Sequence, residues 1–572
     1  MLTKVYLIIS RLILRTSIQR KIKKSNPTNI SFRFKSVNLD FITDDIWEKI
    51  EGDADRLCCG NYQIFNYPVY NNIQWNMDPV TGKKINRKLT SALIRTSKLY
   101  NKVDVKNYWE QSHLHGLLTL AEAFNHTGEK KYLDCFFNIF LDWMENNSCD
   151  TTINWKCPMD NAIRLVNVVA AIGIINNDEI QRYNENIFRF VYEHTILIRE
   201  YYENKGDMPN NHFLTDLIGV IWGSVFLIKN YNFLDINNVL EEALYFLNRE
   251  LQRQVNSDGS DYENSTYYHC FVAELMAETI YMLKENKVNI SESLYDIVKK
   301  MLGVCEYFGA FESSLPLMGD QDGSRLLLLK GFFDIDRCDF SALARFERYS
   351  VIAKKSGIYR YDYGNYTVYV KCGKIGTEGK GTHDHNDQLS ICVFLQNKPI
   401  IIDGGTYLYT KDTKARALYR SEKKHSTVIL SNMHQNDIHS NLFKIYGGNA
   451  GRIIQDAESF SGMFWYKKDC FHKREIFFER NVLVIRDFVY GTEKEAISRL
   501  LLPVLETDIF QEGGKKIIVK GAISIIIESN ENIKVSREKY SPAYGIEKEC
   551  IALDIKITNN LGIYYIKDVM KC

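Results

Sequence analysis

Two histidines two residues apart, His383 and His385, have the spacing that suggests chemistry most directly in this sequence. A continuous apolar run from Ile391 to Leu395 follows them, as expected of a buried strand. Residues two apart on extended backbone point to the same side, so we expect both imidazoles to face one cavity from one strand.

Asp403 and His425 extend this pair into a candidate metal site. Asp403 ends a second apolar run, and the polar pair Gln396-Asn397 predicts a turn that brings it back beside His385. His425 lies 22 residues further along, before another β-rich run. His385, Asp403 and His425 together offer nitrogen and oxygen ligands for a divalent ion, with His383 beside them. Histidines at this spacing also occur by chance.

A second polar group stands where a helix is predicted to begin. Asn210, Asn211 and His212 precede a helix that starts at Phe213. One asparagine is explained as the helix cap. The remaining amide and imidazole, together with the backbone N–H groups and the helix dipole, would favour an anion such as a carboxylate.

Tyr268 is more ambiguous when only the pattern is considered. It lines up with the apolar positions Phe271, Val272 and Leu275 of a predicted helix capped by Ser265, which favours a core tyrosine over a catalytic one.

Asp160 and Arg164 stand at i, i+4 on another predicted helix. This spacing is typical of an ordinary intrahelical ion pair, and the alternative is an arginine that faces an anionic sugar.

Composition excludes several classes of function. The net charge of +1 argues against a general nucleic-acid binder. The aromatic content of 13% suits clefts that stack on sugars, although buried tyrosines would give the same count. Thirteen scattered cysteines without a CxxC pair suit a reducing compartment better than a disulfide scaffold. The basic N-terminus is a poor signal peptide, and no stretch long enough for a transmembrane helix is predicted.

The periodicity predicts two kinds of structure in succession. Apolar residues recur at helical spacing from about residue 105 to 330, whereas short β-branched and aromatic runs with turns between them follow residue 350. Helices first and strands afterwards predict separate layers and not a βαβ sheet. We therefore expect an irregular or helical extension over residues 1–95, an all-helical domain over 96–340 and an antiparallel β-sandwich over 341–572.

Taken in order, seven short segments resemble the heparinase II/III family of polysaccharide lyases and its alginate-lyase-like relatives. The segments are Trp109-Glu110 with Thr127-Gly128 and Tyr132, Trp155 to Arg164, Asn210-Asn211-His212, Glu263 to His269, His383-x-His385, Asp403 to Thr406, and His425 to Val428. The resemblance implies an α+β architecture, an incomplete (α/α) toroid followed by an antiparallel β-sandwich. The sequence departs from the family pattern at Gln111-Ser112-His113, where relatives carry an arginine, and at Ser426, where they carry an asparagine.

The resemblance also implies roles for individual residues. Asn211 and His212 would neutralise a uronate carboxylate, and Tyr268 and His383 would be the acid/base pair, which we expect at opposite ends of one sugar ring. His385, Asp403 and His425 would hold a structural divalent metal, zinc by preference. Contacts to substrate are predicted for four residues: Arg164, Glu263, Tyr409 and Arg416.

The predicted function is that of a carbon–oxygen lyase which cleaves an acidic, uronic-acid-containing polysaccharide by β-elimination. A uronate C5-epimerase on the same fold and a non-catalytic glycan-binding protein of polysaccharide biosynthesis are the alternatives. Resemblance favours the periplasm or cell envelope, whereas the poor signal peptide favours the cytoplasm; the sequence predicts no oligomeric state.

Overall fold

A computed structural model describes the 572-residue chain except for residues 1, 23–29, 36–41, 66, 68–69, 72, 86–90, 176–177, 205–208, 232–234, 313, 493–494, 522 and 570–572. Helices come first and strands second, as predicted. The helices are α1 (Leu2–Ile22), α2 (Asp44–Cys58), α3 (Val105–Gln111), α4 (Gly116–Thr127), α5 (Lys130–Asn146), α6 (Pro158–Ile174), α7 (Asn184–Glu200), α8 (Asn211–Tyr231), α9 (Asp235–Gln254), α10 (Thr266–Glu285), α11 (Glu292–Tyr307), α12 (Gly376–Gly379) and α13 (Thr413–Tyr419).

The strands fall into one short pair and a later series. They are β1 (Asn61–Tyr62), β2 (Tyr70–Asn71), β3 (Ile358–Tyr363), β4 (Tyr366–Lys371), β5 (Ile391–Leu395), β6 (Lys398–Ile401), β7 (Val428–Leu430), β8 (Gly451–Asp456), β9 (Phe460–Lys467), β10 (Cys470–Glu479), β11 (Val482–Tyr490), β12 (Ala496–Leu502), β13 (Ile509–Glu512), β14 (Lys516–Val519), β15 (Ile525–Ser529), β16 (Ile533–Ala543), β17 (Ile546–Lys556) and β18 (Leu561–Asp568).

The chain forms two compact units whose boundaries cross the sequence more than once. The first comprises Met1–Arg253, Phe271–Val298 and Ser324–Arg337, and the second comprises Gln254–Cys270, Lys299–Gly323 and Cys338–Cys572. Two segments that we predicted within the helical domain, 254–270 and 299–323, therefore belong to the same unit as the strands.

The helical unit is built around α6 and α8. Residues Met159 to Gly173 of α6 are all buried. Two glycines of α8 let it approach its neighbours: a Cβ on Gly219 would lie 2.5 Å from the Cβ of Ala162, and one on Gly223 would lie 2.0 Å from Thr195 Oγ1. By length and apolarity α8 could span a membrane, but 89% of its apolar window is buried in the fold, as expected of a core helix.

Helix α2 lies in the extension over residues 1–95, which we expected to be irregular or helical. Its buried face consists of Ile50, Asp53, Ala54 and Leu57, so only two positions are large and apolar. Asp53 is buried because its Oδ2 accepts hydrogen bonds from the backbone N–H groups of two residues, Phe332 and Phe333, at 2.9 and 3.0 Å. A buried carboxylate thus takes the place of an apolar residue on the inner face of α2.

The second unit is an antiparallel β-sandwich. An eight-stranded sheet, in the order β13-β14-β15-β18-β11-β10-β9-β8, faces two four-stranded sheets, β16-β17-β12-β7 and β3-β4-β5-β6. One apolar core contains residues of all three sheets, including Ile485, Leu553 and Val393. The hairpin between β5 and β6 turns at Gln396 and Asn397, which have φ of 53° and 60°, as predicted for a tight turn.

The inward face of β10 and β11 also buries charge. Arg474 donates from Nε and Nη2 to the two oxygens of Asp487 at 2.7 and 2.8 Å, and His472 Nε2 lies 2.7 Å from Asp487 Oδ1. Although burial alone would raise it, these two partners hold the pKa of Asp487 far below its usual range. This carboxylate therefore stabilises two buried basic side chains inside the sandwich.

Candidate active site

A single aspartate, Asp320, organises the polar centre of the second unit. It lies between α11 and β3, and its backbone N–H donates to the carbonyl of His383 at 2.9 Å. Gly319 makes this approach possible, because its φ is +78° and a Cβ there would lie 2.9 Å from the same carbonyl. Asp320 is completely buried, so its carboxylate requires partners for all its lone pairs.

The partners of Asp320 are two imidazoles, a guanidinium and a hydroxyl. Arg416 donates from both terminal nitrogens, with Nη2 2.6 Å from Oδ2. His383 Nδ1 and His385 Nε2 lie 3.1 and 2.8 Å from the carboxylate oxygens, and Thr406 donates at 3.2 Å. Although burial alone would raise it, Arg416 and the imidazoles hold the pKa of Asp320 well below its usual range.

His383 is bracketed by two buried carboxylates. Its Nδ1 lies 3.1 Å from Asp320 Oδ2, and its Nε2 lies 3.1 Å from Glu263 Oε2. Burial alone would lower the pKa of His383, but the two carboxylates raise it to about 9. The side chain is therefore an imidazolium at neutral pH, with each N–H directed at a carboxylate.

Tyr268 stacks on this imidazolium. It stands in the first turn of α10, where Ser265 Oγ accepts a hydrogen bond from its backbone N–H at 3.1 Å, as predicted for the cap. The phenol and imidazole rings have centroids 3.6 Å apart and planes inclined by 17°. This differs from the predicted placement at opposite ends of a sugar, because rings in van der Waals contact leave no space for a sugar between them.

The Tyr268 hydroxyl lies 3.2 Å from the hydroxyl of Tyr409. Burial and the nearby carboxylate of Asp322 raise the pKa of Tyr268 well above its usual value. The phenol is thus neutral and carries a proton. Arg416 lies over the ring of Tyr409, 4.7 Å from its centroid, so the salt bridge to Asp320 also positions the second tyrosine.

Glu263 and Arg416, predicted to contact substrate, are 0% and 1% exposed. Their charged atoms bind His383 and Asp320 respectively. As the structure places them, both residues position the Tyr268–His383 pair.

The predicted metal ligands lie together beside this pair. One ligand atom each from His385, Asp403 and His425 falls within 4.8 Å of the others, and all three side chains are buried. Residues 381–390 form a loop and not the predicted strand, so the two histidines converge through Asp320 and not through strand alternation.

The donor atoms of this triad fit a metal. Within the described residues His385 Nδ1 and His425 Nε2 are buried without a hydrogen-bond partner, while the other nitrogen of each ring contacts a carboxylate. That is the arrangement of metal-binding histidines. Burial lowers the pKa of His385 to about 4; for His425 burial also acts to lower it, but Asp403 produces a net rise. His425 would therefore release a proton on binding a metal.

The helical unit carries the other predicted residues. Asn210 is the cap of α8, since its Oδ1 accepts from the His212 N–H at 3.1 Å, and Asn211 is fully buried in the first turn. His212 is partly exposed, and its Nδ1 lies 3.2 Å from Glu203 Oε2.

Arg164 does not face solvent. It is 0% exposed, donates to the Asn154 carbonyl and Asn161 Oδ1, and lies over the ring of Trp143. The structure contradicts both predictions for Arg164, the intrahelical ion pair with Asp160 and the contact with an anionic sugar. Asp160 pairs with His113 and not with Arg164, and an enclosed guanidinium stabilises the loop before α6, where it has no access to a sugar.

Sequence reasoning missed Asp320. A signal was present in Gly319-Asp-Gln-Asp-Gly323, where two carboxylates alternate between glycines outside any helix or strand pattern. The partners that give Asp320 its role are 63, 65 and 96 residues away, and no local spacing relates them.

Comparison with known proteins agrees with this arrangement of helices and strands. The heparinase II/III N-terminus model matches residues 48–331, and the heparinase II/III-like C-terminal model matches residues 347–560. None of the curated proteins matches the chain.

Among solved structures, a heparinase III crystal structure has a TM-score of 0.68 at 16% identity, over 95% of this chain and 88% of that one. The heparan sulfate lyase HepC from Pedobacter heparinus has a TM-score of 0.55 at 16% identity, over 98% and 88%. A Paenibacillus xanthan lyase has a TM-score of 0.50 at 10% identity, over 93% and 58%. At these identities the likeness shows the fold, and the two family models show that the chain belongs to the heparinase II/III family.

Proposed function

We propose that this protein is a polysaccharide lyase that cleaves an acidic, uronic-acid-containing chain by β-elimination, with Tyr268 as its proton-transferring residue. The observation that carries the proposal is the neutral Tyr268 phenol stacked on the His383 imidazolium, 3.6 Å between centroids. Membership of the heparinase II/III family, and the names of the heparinase III and xanthan lyase structures that share the fold, support the reaction class.

β-Elimination has two proton transfers, and the site suits the second. A base accepts the proton from C5 of the uronate, the electron pair of that C–H bond forms the C4–C5 double bond, the C4–O4 bond breaks and an acid gives a proton to O4. A group that holds a proton beside the leaving oxygen acts as the general acid. The Tyr268 phenol is such a group, and Tyr409 fixes its hydroxyl by hydrogen bonding.

His383 assists Tyr268 by its charge. When the phenol gives its proton to O4, a phenolate forms in contact with the imidazolium, whose positive charge stabilises it. For His383 to be the base instead, it would have to lose a proton that it shares with Glu263 or Asp320. A pKa of about 9 opposes that loss at neutral pH. Within the predicted acid/base pair, we therefore assign the proton transfer to Tyr268.

A divalent metal, zinc by preference, is proposed at His385, Asp403 and His425. The donor set of two imidazoles and a carboxylate suits zinc. When bound, the ion would supply fixed positive charge and tie the loop that carries His383 to the chain around Asp403 and His425. The predicted roles of Asn211 and His212 toward the uronate carboxylate remain proposals from family resemblance.

Substitution of Tyr268 by phenylalanine tests the assignment. We expect Tyr268→Phe to lower the rate of formation of the unsaturated, ultraviolet-absorbing product by about 100-fold or more, since general acid catalysis contributes about 10²–10⁴. Tyr267→Phe is the matched control. Tyr267 directly precedes Tyr268 in α10, and its buried ring packs edge-on against Phe340. Circular dichroism should show the same fold for both variants. Turnover by Tyr268→Phe at the wild-type rate would remove the assignment.

The same substrate panel separates the alternative functions. A lyase gives an unsaturated sugar from at least one uronic-acid polymer. An epimerase would incorporate solvent deuterium at C5 without chain cleavage. A glycan-binding protein would bind a polymer and give neither product.

A further inference from the structure

A second cluster of metal-ligand type lies in the helical unit. It consists of Cys157 just before α6, Glu203 just after α7 and His212 in the first turn of α8. Cys157 Sγ lies 3.5 Å from Glu203 Oε2, and His212 Nδ1 lies 3.2 Å from the same oxygen. Three elements thus bring a thiol, a carboxylate and an imidazole to one point.

The distances match the edges of a zinc coordination tetrahedron. Zinc bonds of about 2.3 Å to sulfur, about 2.0 Å to oxygen and about 2.05 Å to nitrogen give S···O and N···O edges of roughly 3.5 and 3.3 Å at tetrahedral angles. The observed separations are 3.5 and 3.2 Å. These side chains therefore need little movement to bind one ion.

The surroundings hold Glu203 in place. The backbone N–H of Met159 donates to Glu203 Oε2 at 3.2 Å, and the N–H of Glu203 donates to Asp216 Oδ2 at 2.7 Å. Asp216 is fully buried, so a second carboxylate lies close to Glu203. A divalent cation bound by Glu203 would offset the repulsion between the two carboxylates.

Another buried cluster, formed by Glu110, His113 and His115, differs because basic side chains of the protein already pair with its carboxylates. There Arg337 Nη1 lies 2.5 Å from Glu110 Oε1, and Asp160 accepts from His113. Two carboxylates are matched by a guanidinium and an imidazole. In the Cys157 cluster, among the residues that the structure describes, Glu203 Oε2 contacts a backbone N–H, the thiol and the imidazole, and the last two groups are metal ligands.

We propose that Cys157, Glu203 and His212 form a binding site for a divalent ion of the zinc class, separate from the histidine–aspartate triad. The Glu203 and His212 side chains are 30% and 39% exposed, so a water or a solute could complete the coordination. The Cys157 thiol, which donates a hydrogen bond to Glu203, would lose its proton to solvent when the ion binds. Because His212 is one ligand, the ion would compete with a uronate carboxylate for it; that consequence rests on the proposed function, whereas the site does not.

Cobalt absorbance tests the site independently of turnover, because a thiolate ligand gives a near-ultraviolet sulfur-to-cobalt charge-transfer band. We expect Co²⁺ added to reduced, metal-free, full-length protein to give this band, and Zn²⁺ to abolish it by displacement. The triad of His385, Asp403 and His425 contains no sulfur and cannot produce it. Cys157→Ser should lose the band, whereas Cys149→Ser, which alters another buried cysteine of the helical unit, should keep it.

His212→Ala supplies a second variant at a partly exposed position, where folding is least at risk. It should keep the thiolate band but weaken Co²⁺ binding by about tenfold or more, since even outer-shell changes cost 10–100-fold. No band in the wild type, a band that persists in Cys157→Ser, or unchanged affinity in His212→Ala would each overturn the site. Failure of the lyase assay with an intact cobalt band would instead count against the proposed function alone.

Discussion

Replacement of Asp320 by asparagine keeps the size of the side chain and removes its charge. The native carboxylate accepts from both terminal nitrogens of Arg416, from two imidazoles and from Thr406. An amide has one acceptor oxygen, and its NH₂ group would face another donor. Asp320→Asn therefore leaves the Arg416 guanidinium, 1% exposed, without its counter-ion.

The expected loss of stability follows from that unpaired charge. Removal of one partner of a buried ion pair costs about 3–5 kcal/mol. At about 2 °C per kcal/mol for a large domain, the melting temperature of the second unit should fall by about 6–10 °C. The loss of one of two carboxylates should also lower the pKa of His383 from its value of about 9. Both changes can be measured, the first by calorimetry and the second by NMR titration of the imidazole.

Asp487→Asn is the matched control in the same unit. Like Asp320, Asp487 is fully buried and binds an arginine, Arg474; it binds one histidine, His472, where Asp320 binds two. Its substitution should lower the melting temperature by a similar amount but leave the titration of His383 and the activity of the folded enzyme unchanged. If Asp320→Asn melts within about 1 °C of the wild type while Asp487→Asn melts well below it, Asp320 does not have the organising role that we infer.

Three further changes have defined outcomes. Gly319→Ala should destabilise the fold more than Gly82→Ala, because both glycines have a positive φ of 70–78° but only at Gly319 would the new Cβ meet a neighbour, at 2.9 Å; equal melting temperatures would contradict this. His425→Ala should reduce bound metal by about one equivalent per chain, measured by elemental analysis, whereas His472→Ala, another buried imidazole, should not. The pKa of the Asp487 carboxylate is lower in the folded state than in the unfolded state. Its contribution to stability is therefore fully present above the unfolded-state pKa of about 3.9 and is lost as the pH falls through the folded-state pKa. The difference in stability between wild type and Asp487→Asn should accordingly shrink in acid.

The helices could be predicted because their signals are local. The apolar period of α5 and the asparagine cap of α8 lie within a few residues of the structure that they determine. Strands such as β16 and β13 have no apolar run that would mark them in the sequence, because much of their surface is partly or fully exposed and they carry charged residues. Local pattern identifies an element only when one face of it is clearly buried.

The candidate site could be predicted in part for the same reason. His383 and His385 share one loop, and the candidate metal triad was identified from the order of its residues along the chain. The stacking of Tyr268 on His383 depends instead on segments 115 residues apart, and the pattern of α10 favoured a core tyrosine. Tyr268 is only 3% exposed, so it is buried as the pattern predicts, and it lies at the candidate site as well.

Burial of the charged groups beside Tyr268 favours the protonated form of His383. Among the four charged groups that pair directly with one another here, Asp320 and Glu263 carry two negative charges, and Arg416 and His383 supply two positive ones only when His383 is protonated. Loss of that proton would leave an unbalanced negative charge out of water, which is costly. The imidazolium is therefore maintained by the fold over the neutral pH range. A tyrosine stacked on a cation of this kind has a permanent partner for the negative charge that it would acquire on giving up its proton.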